Sequence, residues 1–297
     1  MQIPTQCTLC PRRCSADRTK SPGVCGAGPV LTVARAALHH WEEPCISGTR
    51  GSGTVFFSAC PLKCCYCQNW RISAEGWGKA IDTHRLAQIF LELQEQGAHN
   101  LNLVTATQWL PWVLDALDAA KAKGLQLPVV YNTGGYETLE TVKALAPYVD
   151  VWLADVKYVS SQLSAGYSAA PNYFEVCSAA VQQMLEQTGA PVLDADGIMQ
   201  KGVILRHLAL PGSLEDSRAV LRWMGQLPKG SFIPSLMSQY TPFYKAAEHK
   251  ALRRRISTWE YRQVLDTALD LGLIQGYMQE RSSAKEEYTP PFDLLGV

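Results

Sequence analysis

From residue 54 onward, apolar residues recur along this chain in two alternating rhythms. Short runs rich in Val, Ile, Leu and Phe predict strands at 54–58, 101–105, 129–132, 149–156, 203–208 and 231–239. Between and after them, apolar positions three and four apart predict helices at 84–96, 112–123, 137–145, 173–187, 214–226 and 258–271. In the first helix Leu86, Ile89, Phe90 and Leu93 share one face, with Asp82 or Thr83 as the cap. Pro111 in the first turn and Gly124 past the end bound the second. Strand-then-helix units in this succession imply a parallel sheet with right-handed crossovers. No Gly-x-Gly-x-x-Gly follows a strand, and polar residues gather at the C-terminal ends of many different strands. The expected fold is therefore α/β, a partial (βα)6 TIM-like barrel rather than a doubly wound sheet.

Residues 1–50 break the rhythm. They are cysteine-rich, basic and poor in periodic apolar pattern, and they end in Gly48-Thr-Arg-Gly-Ser-Gly53. The expected organisation is a cysteine-rich metal-binding module over 1–50, the barrel over 51–257, and a C-terminal helix and tail over 258–297.

At 297 residues, 47% hydrophobic and 18% charged, the chain suits one large globular domain with a small appendage. Lys and Arg (27) balance Asp and Glu (27), so no global field points to nucleic acid or a membrane surface. The start, Met-Gln-Ile-Pro-Thr-Gln-Cys7, has neither the basic nor the apolar stretch of a secretory signal. No apolar run reaches the length of a membrane span. Ten cysteines in such a chain suggest metal binding before disulfides. A cytoplasmic, reducing location is expected.

The sharpest chemical signal is Cys60-x3-Cys64-x2-Cys67, directly after the first predicted strand. Thiolates hold iron–sulfur clusters, and three of them can take three irons of a cubane and leave the fourth open. An open metal position separates a catalytic site from a closed structural one. Half of a zinc knuckle, or buried structural cysteines, is the plainer alternative. Cys65 offers a second ligand set, Cys60-x4-Cys65-x-Cys67, but is read as a small buried residue. A second set, Cys7-x2-Cys10-x3-Cys14-x10-Cys25, lies among Pro and Gly turns in a stretch too short to bury its own core. It suits either a tetrahedral zinc site or an auxiliary iron–sulfur cluster, with a slight preference for a structural role. Cys45 is a spare candidate, and Cys177 reads as core.

Beyond these cysteines, the strand ends carry Thr105-Ala-Thr107-Gln108, Asn132-Thr133-Gly134-Gly135-Tyr136, Asp155-Val-Lys157, Arg206-His207 and Gln239-Tyr240. Asp155 and Lys157, two apart, share a face if the strand persists. Together these ends point to a cavity for a polar, zwitterionic ligand.

The cysteine spacing, with Tyr66 just before Cys67, is similar to the signature of radical S-adenosylmethionine (SAM) enzymes. Further stretches extend the likeness: Tyr131-Asn-Thr-Gly-Gly-Tyr-Glu137, Asp155-Val-Lys-Tyr158, Ile204-Leu-Arg-His-Leu-Ala-Leu-Pro-Gly212 and Met237-Ser-Gln-Tyr-Thr-Pro242. With Asn69, Cys7-Thr-Leu-Cys-Pro-Arg-Arg-Cys14 and Gly23-Val-Cys-Gly26, they make residues 7–242 resemble the pyruvate formate-lyase activating enzyme homologues. The resemblance implies a [4Fe–4S] cluster on Cys60, Cys64 and Cys67, whose open iron chelates SAM and whose electron releases a 5′-deoxyadenosyl radical. It further implies Tyr66 against the adenine, and Asp155, Lys157, Thr105, Asn132 and Thr133 around SAM. Arg206 is the expected partner of the SAM carboxylate. Thr105-Ala-Thr107 stands where the activating enzymes carry Gly-Gly-Glu. Implied partners are an electron donor such as flavodoxin or ferredoxin and a protein or peptide that loses hydrogen. A small molecule or modified peptide is the alternative substrate, and a non-enzymatic iron–sulfur electron carrier the third reading.

Overall fold

The computed structural model describes residues 2–279 and 289–297. Its elements, in chain order, begin with β1 (Thr32–His39), α1 (Pro44–Ser47), β2 (Ser52–Phe57), α2 (Trp70–Ser73), β3 (Lys79–Ala80) and α3 (Thr83–Glu95). Next come β4 (Leu101–Val104), α4 (Leu110–Ala122), β5 (Val129–Thr133), α5 (Leu139–Leu145), β6 (Val151–Asp155), α6 (Ser161–Ser168) and α7 (Tyr173–Thr188). Then follow β7 (Val192–Leu193), β8 (Met199–Leu208), α8 (Leu214–Met224), β9 (Ile233–Met237), α9 (Thr258–Asp270) and β10 (Tyr277–Met278).

The main sheet runs β10-β9-β8-β6-β5-β4-β2-β1-β3. From β2 to β10 every neighbouring pair in that order is parallel. The alternation of apolar rhythms thus yields the expected α/β partial barrel, with helices packed outside. Strands β2, β4 and β5 are buried at every position, as befits parallel strands covered on both faces. The helices start where local chemistry directs them. Asp82 caps α3 by accepting the Arg85 N–H at 2.7 Å, and Ser257 and Glu260 form a capping box at α9.

Three features depart from the expectation. Residues 32–39, assigned on the sequence to the N-terminal module, form β1, antiparallel along β2. The short apolar alternation in Thr32–His39 is sufficient for a strand once β2 offers it a ladder. Residues 44–47 form α1, which is drawn inside the sheet's curve. There Cys45 and Ile46 pack against Val130, Leu153 and Ile204 and plug the barrel at the N-terminal ends of its strands. At the other terminus, β10 extends the sheet, and residues 292–297 lie along the β1 edge. The Ala36 N–H donates to Leu295 O at 2.9 Å, and Arg35 pairs with Asp293 at 2.5 Å. Covering that edge removes a template for aggregation.

Candidate active site

A cavity of about 300 Å³ opens at the C-terminal ends of the parallel strands, between the loop after β2 and the interior faces of β4, β5, β6, β8 and β9. Cys60, Cys64 and Cys67 line it, and Cys65 does not. The loop turns sharply: Ala59 (φ 71°) and Lys63 (φ 49°) both adopt the left-handed conformation that L-residues rarely take. Neighbouring elements fix that shape. Gln108 Nε2 donates to the carbonyls of Ser58, Ala59 and Thr105 at 3.0, 3.0 and 2.7 Å. The Trp109 indole N–H donates to Ser58 O at 2.7 Å. Cys65 contributes its backbone: its N–H donates to Tyr167 O at 2.8 Å, and its carbonyl accepts the Lys245 N–H at 2.9 Å.

Each cavity cysteine sulfur accepts a hydrogen bond from a nearby donor. Leu62 N–H reaches Cys60 Sγ at 3.4 Å, Ser73 Oγ reaches Cys67 Sγ at 3.4 Å, and Ser168 Oγ reaches Cys64 Sγ at 3.0 Å. Ser168 continues a chain through Tyr158 (3.0 Å) to the Tyr66 hydroxyl (2.5 Å). Tyr66 thereby has its ring fixed at the cavity wall, edge-on to Tyr167 and Tyr240. Burial pushes the Cys60 thiol up to about 12 and the Cys67 thiol up to about 11. Such groups stay protonated until a metal takes the proton's place.

Beneath the cysteines lies a buried ion-pair network. Arg206 Nε donates to Asp155 Oδ1 at 2.8 Å, Nη2 to Asn132 Oδ1 at 2.7 Å, and Nη1 to Glu42 Oε2 at 3.1 Å. Lys157 Nζ sits 2.6 Å from the other Asp155 oxygen. Burial opposes ionisation of Asp155, but Arg206 and Lys157 outweigh it and hold the carboxyl below its ordinary range. Lys157 is likewise held above the usual lysine value, because Asp155 outweighs its burial. The sequence reading brought Asp155, Lys157, Arg206 and Asn132 to one place, and the structure does the same. It also shows the Arg206 guanidinium engaged on three of its nitrogens by protein groups, where the sequence expectation had it paired to a ligand carboxylate.

Glu137 occupies a different wall. Its Oε1 accepts the hydroxyls of Thr107 (2.6 Å) and Thr133 (2.5 Å), and its buried Oε2 has no hydrogen-bond partner. Burial pushes this carboxyl up to about 7. Thr105, at the exit of β4, takes a left-handed φ of 56° and lines the cavity. His207, beside Arg206, points the other way: its ring nitrogens reach Val156 O at 2.8 Å and Ser217 Oγ at 2.9 Å. Glu42 and Glu43 belong to no motif in the sequence. The only available signal was an acidic pair immediately before Pro44.

The N-terminal cysteines lie on the outside of this loop. Arg12 donates to the carbonyls of Pro61 (2.9 Å), Ser168 (2.8 Å) and Ala169. Arg18 is fully buried over Trp109 and Trp112. Cys7, Cys10 and Cys25 are buried and Cys14 half-buried, and a Cβ placed on Gly23 would meet the sulfurs of both Cys14 (3.4 Å) and Cys25 (3.6 Å). Among the described residues, no three His, Cys, Asp or Glu side chains are disposed around a point as a single metal ion requires.

Residues 54–167 match the radical SAM superfamily, and this span contains the whole cysteine loop and the first three strand ends behind it. Over that span the chain carries a radical SAM domain. It is 28% identical over 269 residues to the uncharacterized protein MJ0674 of Methanocaldococcus jannaschii, covering 88% of this chain and 74% of that one. Among solved structures, it is similar to a domain of pyruvate-formate lyase-activating enzyme from Bacteroides vulgatus, with a TM-score of 0.41 and 16% identity over 57% of this chain and 90% of that one. It is also similar to methylornithine synthase, with a TM-score of 0.48 and 12% identity over 81% of this chain and 61% of that one. Among the described residues no helix is long and apolar enough to cross a membrane.

Radical SAM enzymes work with a [4Fe–4S] cluster and SAM. The donor set of this cavity fits a cluster. A cubane binds each thiolate to a different iron, so three cysteines spread along a loop suit it although they do not converge on one point. The hydrogen bond offered to each sulfur is the kind of contact that tunes such a cluster.

Proposed function

We propose that Cys60, Cys64 and Cys67 hold the cluster and that the strand-end residues Thr105, Asn132, Thr133, Asp155 and Lys157, with Tyr66, form the SAM site. The radical then abstracts hydrogen from a protein or peptide substrate, in the manner of the glycyl-radical activating enzymes. The observation that carries this reading is that these three cysteines share one cavity with the buried polar strand ends, while Cys65 stays outside it. When bound, the cluster supplies one electron for breaking the sulfonium bond of SAM, giving methionine and the 5′-deoxyadenosyl radical.

The chain's own residues do the rest. Asp155 fixes Lys157 and Arg206 in place, so the Lys157 ammonium is the cation offered to a carboxylate or hydroxyl of the ligand. Arg206 acts as the strut that joins β8 to β5 and β6. The Tyr66–Tyr158–Ser168 chain ties the cavity wall to Cys64. Cys7, Cys10, Cys14 and Cys25 are assigned to a second metal, zinc or iron–sulfur, in a structural role that stiffens the loops clamped onto Pro61 and Cys60. A reducing cytoplasmic setting and a flavodoxin- or ferredoxin-type electron donor accompany this reading.

One observation favours the second reading, a small-molecule substrate: the cavity is closed at the bottom by the α1 plug. Anaerobic reconstitution with iron, sulfide, SAM and dithionite tests the proposal. Formation of 5′-deoxyadenosine and methionine is expected. A glycyl-radical signal in a partner protein would assign the activase role, and consumption of a metabolite in low-molecular-weight fractions would assign the alternative. No cleavage of SAM by cluster-loaded protein would refute the reading.

A further inference from the structure

The barrel floor is built by α1 and the two residues before it. With Cys45 and Ile46 anchored among Val130, Leu153 and Ile204, the chain presents Glu42 and Glu43 side by side at the bottom of the cavity. Glu42 is held by Arg206 at 3.1 Å and by Asn132 Nδ2 at 3.0 Å. Glu43 is less satisfied. Its Oε1 accepts the Ser235 hydroxyl at 3.0 Å, but its Oε2 has no hydrogen-bond partner, although the residue is only 8% exposed. The nearest cationic nitrogen is Arg206 Nη1, at 3.9 Å. Next to Glu42, the fully buried Asn102 also leaves its Oδ1 without a partner.

Both orphaned atoms are acceptors, and a buried acceptor without a donor is costly. The charges lean the same way. The carboxylates of Glu42, Glu43 and Asp155 outnumber the cations Arg206 and Lys157 in this network. Burial raises both glutamate carboxyls from their ordinary range despite Arg206, and a further cation would lower them again. Part of the wall is apolar: Phe56, Leu208 and Met237 line the same cavity. They suit a hydrocarbon chain rather than a hydrated ion.

We infer that this floor recognises the primary ammonium group of the substrate, whose alkyl chain runs along the apolar wall toward the cysteine loop. The inference rests on the radical SAM reading of the cavity and names its substrate class. The alkylammonium has two sources, a free aliphatic amine or a lysyl side chain of a peptide, and both present the same N–H donors to Glu43 and Glu42.

Titration calorimetry on the anaerobically reconstituted enzyme with SAM bound tests it. The probes are pentylammonium, its neutral counterpart 1-pentanol, and Nα-acetyl-lysine methylamide. Saturable binding of an ammonium probe at least tenfold tighter than that of 1-pentanol is expected, and a Glu43→Gln variant of equal iron content should weaken it at least tenfold. Tighter binding of the lysine amide assigns the peptide source, and tighter binding of pentylammonium the free amine. Binding of 1-pentanol as tight as that of the ammonium probes overturns the inference in the wild type, with no variant needed. So does an unchanged affinity in folded Glu43→Gln. Formation of 5′-deoxyadenosine by the wild type without amine is measured separately. Its absence sinks the radical reading, whereas SAM cleavage without ammonium binding sinks this inference alone.

Discussion

The backbone N–H of Cys60 donates to the carbonyl oxygen of Cys25 at 3.3 Å, so the first cysteine of the cavity loop is tied to the last of the N-terminal set. The tie makes the shape of the cavity loop depend on how the N-terminal turns are held. If those four cysteines bind a structural metal, replacing Cys7, Cys10, Cys14 and Cys25 by Ala should lower solubility or thermal stability, because metal binding is part of a small module's folding free energy. SAM cleavage by the fraction that folds should persist with a chemical reductant. Metal analysis of anaerobically purified wild type checks the assignment. One zinc with one cluster's iron supports it, and two clusters' iron without zinc overturns it.

Substitution of the cavity cysteines should separate ligands from packing. Cys60→Ala, Cys64→Ala and Cys67→Ala are each expected to lose the cluster and abolish SAM cleavage. Cys65→Ala, whose parent residue works through its backbone, should keep both. Iron content and 5′-deoxyadenosine formation are the readouts. A Cys65→Ala protein without a cluster, alongside a Cys64→Ala protein that has one, would reverse the assignment.

Asp155 and Lys157 differ in what their loss removes. Lys157→Ala takes away one charged donor and should weaken SAM binding by about 1.5–3 kcal/mol, the worth of a charge-assisted hydrogen bond. Asp155→Ala should weaken it to a similar extent and also destabilise the fold. It strands the buried Lys157 ammonium, while Arg206 keeps Glu42, and breaking such a buried pair typically costs about 3–5 kcal/mol. Equilibrium SAM binding and urea denaturation of the cluster-loaded variants measure the two effects. Unchanged SAM affinity in both would show that this strand end does not meet the cofactor.

Glu137 should leave a signature in the pH dependence of stability. Its carboxyl is raised in the folded state to about 7 by burial, while in the unfolded chain it titrates near the ordinary glutamate value of about 4.3. Between these values the folded state binds more protons than the unfolded state, so its contribution to stability is full below the lower value and falls as pH rises to about 7. Glu137→Gln keeps an acceptor for Thr107 and Thr133 and removes the titration. The variant should therefore gain on the wild type as pH rises, by up to about 4 kcal/mol at pH 8 on the scale of about 1.4 kcal/mol per pKa unit. The two should converge at pH 4. Denaturation midpoints measured for both proteins across that range would contradict this if their difference did not change with pH.

Much of the fold was legible because its signals are local. Each parallel strand is a short apolar run whose burial follows from its own composition, and each helix carries its face within a few turns. Strand β1 was not legible as a strand, because its alternation is short, lies beside cysteine-rich turns, and acquires a register only against β2. The plug α1 was invisible for a similar reason: four residues carry no period of their own.

The candidate site divides along the same line. Cys60, Cys64 and Cys67 are spaced within one loop, and Asp155 and Lys157 within one strand end. The sequence by itself therefore determined the donor types, their order and the end of the barrel that bears them. Only the tertiary structure decided what Arg206 binds, since its partners sit at residues 42, 132 and 155. The same holds for Glu42 and Glu43, two acidic residues in an unremarkable dipeptide that become a barrel floor. Strand curvature sets which distant side chains meet inside a barrel, and burial then sets their charge. Neither quantity exists until the sheet has curved around them.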